Sequence, residues 1–188
     1  MNWYCDSAPG HPLHGPYHDD EYGLPRSGEA VLFELLALEI FQAGLSWQLI
    51  LKKRPTIFAA FDKFDVDIVA DYGDLDIERL LGDGGIIRNR LKITSIIENG
   101  NRIRAMRDSH GGFARFLAAH HPLIKSDWVK LFKNTLKFTG GEIVNEFLMS
   151  LGYLPGAHRQ SCPAYQRIMA RKPPWSQVDD NFYQETAP

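Results

Sequence analysis

"EAVLFELLALEIFQAGLSWQLILKKR" spans residues 29–54, and its reading decides the fold class. Residues 29–44 have the composition and apolar spacing of a long helix, with no strand alternation. Within residues 31–41 only Glu34 and Glu39 are polar. On a helix they lie about 140° apart, so they cannot share a solvated face. Leu32, Leu35, Leu36, Glu39 and Ala43 form one apolar stripe with a carboxylate inside it. Gly44, Leu45 and Trp47 mark a tight break. Ser46 then caps a second helix, "WQLILKKR", and Pro55 suits the first turn of a third, "PTIFAAFDKF".

Further along the chain the pattern stays helical. Asp65 can cap "VDIVADYG", and "LDIERLLGDGG" closes on glycines. "RNRLKITSIIENGNRIRAMRD", "GGFARFLAAHH", "SDWVKLFKNTLK" and "GEIVNEFLMSLG" give four more helices. No internal repeat and no strand pattern interrupts them. Residues 1–27, rich in Pro, Gly and His, read as an irregular segment. Residues 1–170 read as one domain. Residues 171–188 read as a loose tail, a candidate for disorder, which Trp175, Phe182 and Tyr183 could dock. The expected class is all-α.

The 188 residues suffice for one ordinary domain, and 44% hydrophobic residues supply a sizeable core. A formal charge of −2 gives no global signal for nucleic acid. The basic groups Lys52-Lys53-Arg54, Arg88-Arg90-Lys92 and Lys125/Lys130/Lys133/Lys137 read individually as ordinary solvated faces. No apolar run reaches membrane-spanning length, and the N-terminus lacks the pattern of a signal peptide. The expectation is a soluble, cytoplasmic protein that makes no membrane contact. Two cysteines in a reducing compartment read as buried thiols or metal ligands.

Two features carry chemistry. Glu39 sits in an apolar stripe near a helix C-terminus, where the dipole disfavours an anion. It needs either a structural partner or a ligand that is cationic or rich in N–H donors. Tyr17 and Tyr22 upstream and Trp47 downstream would suit a planar base, although each aromatic alone is more often core. The second feature is "AHRQSC", residues 157–162. His158 and Cys162 at i, i+4 share one face if helical. With a distant Cys and His they could complete a four-ligand site, but spacing alone makes this a weak signal.

Taken together, "YHDDEYG" (17–23), "LEIFQAGLSWQLILKKR" (38–54), "GIIRNRLKI" (85–93) and "LKFTGGEIVNEFLMSLG" (136–152) closely resemble the DNA-3-methyladenine glycosylase I family of bacteria, within the helix-hairpin-helix glycosylase superfamily. The resemblance covers residues 3 to 162. It implies a two-lobed helix-hairpin-helix fold with a structural zinc held by Cys5, His18, His158 and Cys162, joining the two ends of the chain. It implies a base pocket of Tyr17, Tyr22, Glu39 and Trp47, with Glu39 as the catalytic carboxylate. Leu45 resembles the apolar plug that fills the gap left by a flipped nucleotide. Lys137, Thr139, Gly140 and Gly141 belong to a hairpin that holds a DNA phosphate.

The implied activity is monofunctional hydrolysis of 3-methyladenine from double-stranded DNA by a monomer, opening base excision repair. "GYLPGAH" (152–158) has neither the acid nor the lysine that other superfamily members place there. His14 and Tyr22 depart from the family's usual aromatics. Another family aromatic aligns near Ser7, with Trp3 as a neighbour. The 122–127 segment is short. His14 and Tyr22 motivate one alternative, a related glycosylase with altered base preference; an alternative of another class is a zinc-stapled module that binds DNA without catalysis.

Overall fold

The computed structural model describes residues 3–179 and 181–183, and among them all regular structure is helical. Helix α3 (Glu29–Gln42) lies at the centre, and every residue from Leu32 to Phe41 is buried. A helix apolar on all sides must be enclosed on all sides. Around it pack α4 (Trp47–Ala60), α5 (Val66–Ala70), α7 (Arg90–His110), α8 (Phe113–His120) and α10 (Gly141–Ser150). Between them run α6 (Asp74–Gly82), which packs on α7, and α9 (Lys125–Thr135), which packs on α10. Among the described residues no helix is long and apolar enough to cross a membrane.

The expected caps form. The Ser46 hydroxyl accepts from the Leu49 N–H at 3.3 Å, and the Asp65 carboxylate accepts from the N–H groups of Asp67 and Ile68. Pro55 does not start a helix; it lies inside α4, which runs unbroken from Trp47 to Ala60. Its ring removes one backbone hydrogen bond. Ile50, Leu51 and Ile57 are buried on both sides of it, and this shared packing keeps the helix in one piece.

Residues 1–27 also differ from the irregular segment expected. Tyr4–Ser7 form α1 and His14–Asp20 form α2. The tail is docked over its described part. After α11 (Pro163–Ala170), Trp175 N–H donates to Gly152 O at 3.0 Å and Tyr183 Oη donates to Tyr153 O at 3.2 Å. The expectation of disorder at residues 180 and 184–188 lies outside the described residues.

Helices α9 and α10 are joined by residues 136–140, where Phe138 adopts φ +58°. Asn99 on α7, fully buried, clamps this connection. Its amide donates to Lys137 O at 3.0 Å and its oxygen accepts from Lys137 N–H at 2.7 Å. Seven residues earlier, two turns along the same helix, Lys92 holds the break between α3 and α4. Its ammonium donates to Phe41 O at 2.8 Å and Ala43 O at 2.6 Å. A cation there also complements the negative end of α3.

Candidate active site

Two cavities meet beside the C-terminal end of α3. The inner one, about 190 Å³, is lined by Tyr4, Tyr17, Tyr22, Glu39, Gln42, Trp47 and Glu146. The outer one, about 620 Å³, runs from Ala43, Gly44 and Leu45 across to Gly140, Gly141 and Ile143. Glu39, Gln42 and Glu146 line both, so they form the threshold between them. The inner cavity falls below the roughly 300–1,000 Å³ of drug-sized pockets, which suits one flat ring system.

Its walls are aromatic. Tyr17 packs against Trp47 with ring centroids 5.0 Å apart and against Tyr22 at 5.6 Å. Tyr4 closes the wall at 5.7 Å from Tyr22 and 6.5 Å from Tyr17. The Tyr4 hydroxyl is paired with His14 Nδ1 at 2.8 Å, so His14 positions a wall residue. The N-terminal aromatic is thus Tyr4. Trp3 instead faces a separate surface cavity built from residues 155–175. The indole N–H of Trp47 is buried without a hydrogen-bond partner among the described residues.

Glu39 is buried at this wall, and no described residue donates a hydrogen bond to it. Burial, reinforced by the charge of Glu146, raises its pKa well above the usual carboxylate range. Burial, with Glu39 next in importance, raises the Tyr17 phenol in the same way. Glu146 is half-buried. It accepts from Tyr22 Oη at 3.0 Å and from Asn145 Nδ2 at 3.4 Å. Burial also raises its pKa, and the Tyr22 bond opposes that rise.

At the rim, Leu45 is 40% exposed at the tip of its loop, with a large apolar side chain facing solvent. Gly140 and Gly141 begin α10 across the outer cavity. Lys137 is exposed, whereas Thr139 is buried and its hydroxyl contacts Leu136 O at 3.4 Å. Several of the basic groups are paired with other residues of the protein, most of them at its surface. Arg54 serves Glu34 and Glu21, Lys53 donates to Gly84 O, Arg90 pairs with Glu78, and Lys125 pairs with Glu142.

Behind the aromatic wall, Cys5, His18, His158 and Cys162 are all buried, with ligand atoms within 4.8 Å of one another. His158 Nδ1 lies 3.6 Å from both Cys5 Sγ and Cys162 Sγ, and His18 Nε2 lies 3.7 Å from Cys162 Sγ. Tetrahedral zinc with ordinary Zn–S and Zn–N bonds needs sulfur and nitrogen roughly 3.6 Å apart. The other ring nitrogens are engaged as metal-ligating histidines require. His18 Nδ1 pairs with the Asp19 carboxylate at 2.7 Å, and His158 Nε2 donates to Tyr22 O at 2.9 Å. The cluster can therefore hold a metal ion.

Reasoning from sequence missed Tyr4, Gln42 and Glu146. Only Glu146 left a trace: with Glu142 it makes a like-charged i, i+4 pair, which a helix disfavours unless one member has a use.

Comparison with known proteins agrees with this architecture. The sequence model of the methyladenine glycosylase family matches residues 7–130. DNA-3-methyladenine glycosylase 1 of Escherichia coli (strain K12) is 36% identical over 173 residues, covering 82% of this chain and 92% of that protein. DNA-3-methyladenine glycosylase of Haemophilus influenzae is 33% identical, covering 78% and 89%. A solved variant of 3-methyladenine DNA glycosylase I in complex with 3-methyladenine superposes with a TM-score of 0.77 at 31% identity, covering 88% of this chain and 98% of that one. The fold is that of a base-excising enzyme class. The chain belongs to the methyladenine glycosylase family.

Proposed function

We propose that this protein hydrolyses the N-glycosidic bond of 3-methyladenine in double-stranded DNA and initiates base excision repair. The observation that carries the reading is Glu39: a buried carboxylate without a donor, set in a tyrosine- and tryptophan-walled cavity in a family whose relatives are 3-methyladenine glycosylases. A cationic base with N–H donors supplies what this carboxylate lacks.

The chemistry places modest demands on the protein. Methylation at N3 makes the adenine cationic. When the bond from C1′ to the base breaks, its electron pair stays on the base, which leaves neutral. Water adds at C1′ and releases a proton. The chain's task is to extrude, select and orient the base. Glu39 accepts from its N–H groups, and Tyr17, Tyr22 and Trp47 enclose it. Leu45 fills the vacated stack. The N–H groups at Gly140 and Gly141, with Lys137, hold a backbone phosphate. Thr139 acts from within, by holding the hairpin.

Zinc fits the Cys5, His18, His158 and Cys162 cluster, as a closed structural ion that takes no part in the reaction. Incubating methylated DNA with the protein and resolving released bases by chromatography tests the function. Release of 3-methyladenine supports it. Release of a different base favours the altered-preference alternative, and DNA binding without release favours the non-catalytic module.

A further inference from the structure

We propose that Glu146 is a second specificity-determining carboxylate of the base pocket, whose fixed negative charge selects a cationic base over a neutral one of the same shape. This rests on the inner cavity being the base pocket.

Glu146 stands at the threshold. It lines both cavities opposite the end of α3, so a base entering the inner cavity passes between it and Glu39. Its position is set from two sides. Tyr22, itself a wall residue, donates to one oxygen, and the neighbouring Asn145 amide reaches the other. No cation forms an ion pair with it among the described residues; Lys125, on the adjoining α9, bonds to Glu142 at the surface and reaches Glu146 only through its charge.

The two carboxylates differ in a way that divides their work. Glu39 is the more deeply buried and accepts no hydrogen bond from the protein, so its lone pairs are free for the edge of a base. Glu146 already accepts from a phenol, a contact that favours its ionised form. Burial raises the pKa of both carboxylates, but only Glu146 has a phenol opposing the rise, so of the two it is the one that more readily carries a negative charge at the threshold. In a site of low dielectric such a charge attracts a cationic base and leaves a neutral isostere unaided. A purely structural Glu146 would serve only to fix the Tyr22 ring, and a neutral acceptor would do that equally well.

Glu146→Gln separates the two roles, because glutamine keeps one oxygen to accept from Tyr22 and loses the charge, giving up besides only the long 3.4 Å contact from Asn145. Single-turnover release of 3-methyladenine is measured beside equilibrium binding of a duplex carrying 3-deaza-3-methyladenine, a neutral isostere. Release should fall about tenfold or more, as expected for one charge-assisted contact, with binding of the neutral duplex unchanged. Wild-type release overturns the proposal, as does an equal loss on both probes. Glu39→Gln, run in parallel, should lose on both, since it contacts the base edge directly. If Glu39→Gln is also fully active on both, the pocket assignment itself fails and not merely the role of Glu146.

Discussion

Glu34 and Glu39 are buried to nearly the same degree on one helix, 6% and 5% exposed, yet only Glu34 is neutralised. Arg54 donates to both of its oxygens, at 2.7 and 3.2 Å, whereas Glu39 shares its cavity with Tyr4, Tyr17, Tyr22, Gln42, Trp47 and Glu146, none of them a cation. One carboxylate belongs to the scaffold; the other is held at a cost that the fold alone does not recover.

That cost has a pH signature. The folded-state pKa of Glu39 is raised, so between the ordinary carboxylate value near 4.5 and the folded value the native state binds the extra proton. Its contribution to stability then falls as pH rises through that interval. Glu39→Gln should melt higher than wild type at neutral pH, and the gap should close as pH drops toward 4.5. The same variant should lose roughly ten- to a hundredfold in 3-methyladenine release. Thermal melts across pH and single-turnover assays check both; a lower melting temperature at neutral pH would make Glu39 a scaffold residue.

Metal analysis should find about one zinc per chain. Cys162→Ala should release it and lower the melting temperature. Because His158 holds the Tyr22 carbonyl, base release should suffer more than binding to undamaged DNA. A variant that retains both metal and melting temperature would remove the ion from the site.

Lys92 should act at a distance. Lys92→Met keeps the aliphatic stem and leaves the carbonyls of Phe41 and Ala43 without their donor, a cost of about 1–3 kcal/mol. The Leu45 loop loses its anchor with them. Activity should fall further than the stability loss explains at temperatures where the variant remains folded. Single-turnover rates measured well below its melting point supply the comparison, and a wild-type rate there would separate Lys92 from the loop.

Borohydride present during turnover should trap no protein–DNA adduct. No lysine lines either cavity, and the ammonium of Lys92 is already engaged with two carbonyls. A trapped adduct would mean a Schiff-base mechanism and an amine that reaches C1′.

Much of this was legible in the chain because it is local. The central helix, the Ser46 and Asp65 caps and the anomaly of Glu39 all follow from a few neighbouring residues. Pro55 was misread because the packing of Ile50 and Ile57 that overrides it comes from distant parts of the chain. The short helices α1 and α2 were missed for a similar reason. At four and seven residues they are too short to persist alone, and long-range contacts hold them. Tyr4 and Gln42 gave no sign because only the fold turns them toward Glu39. The pairing of Cys5 and His18 with His158 and Cys162 came from family resemblance, since spacing could not select it.

Each tyrosine of the pocket wall is tied to the metal cluster: Tyr4 precedes Cys5, Tyr17 precedes His18, and Tyr22 lends its carbonyl to His158. The contacts from Cys5 to His158 and from His18 to Cys162 span 153 and 144 residues. During synthesis, at roughly 5–20 residues per second, Cys5 and His18 wait for His158 and Cys162 before this wall can close. A chain that stops short of residue 158 lacks the partner that fixes the Tyr22 carbonyl. The pocket therefore closes only after residues 158 and 162 have joined the N-terminal helices, and a chain without them has no finished chamber for a base.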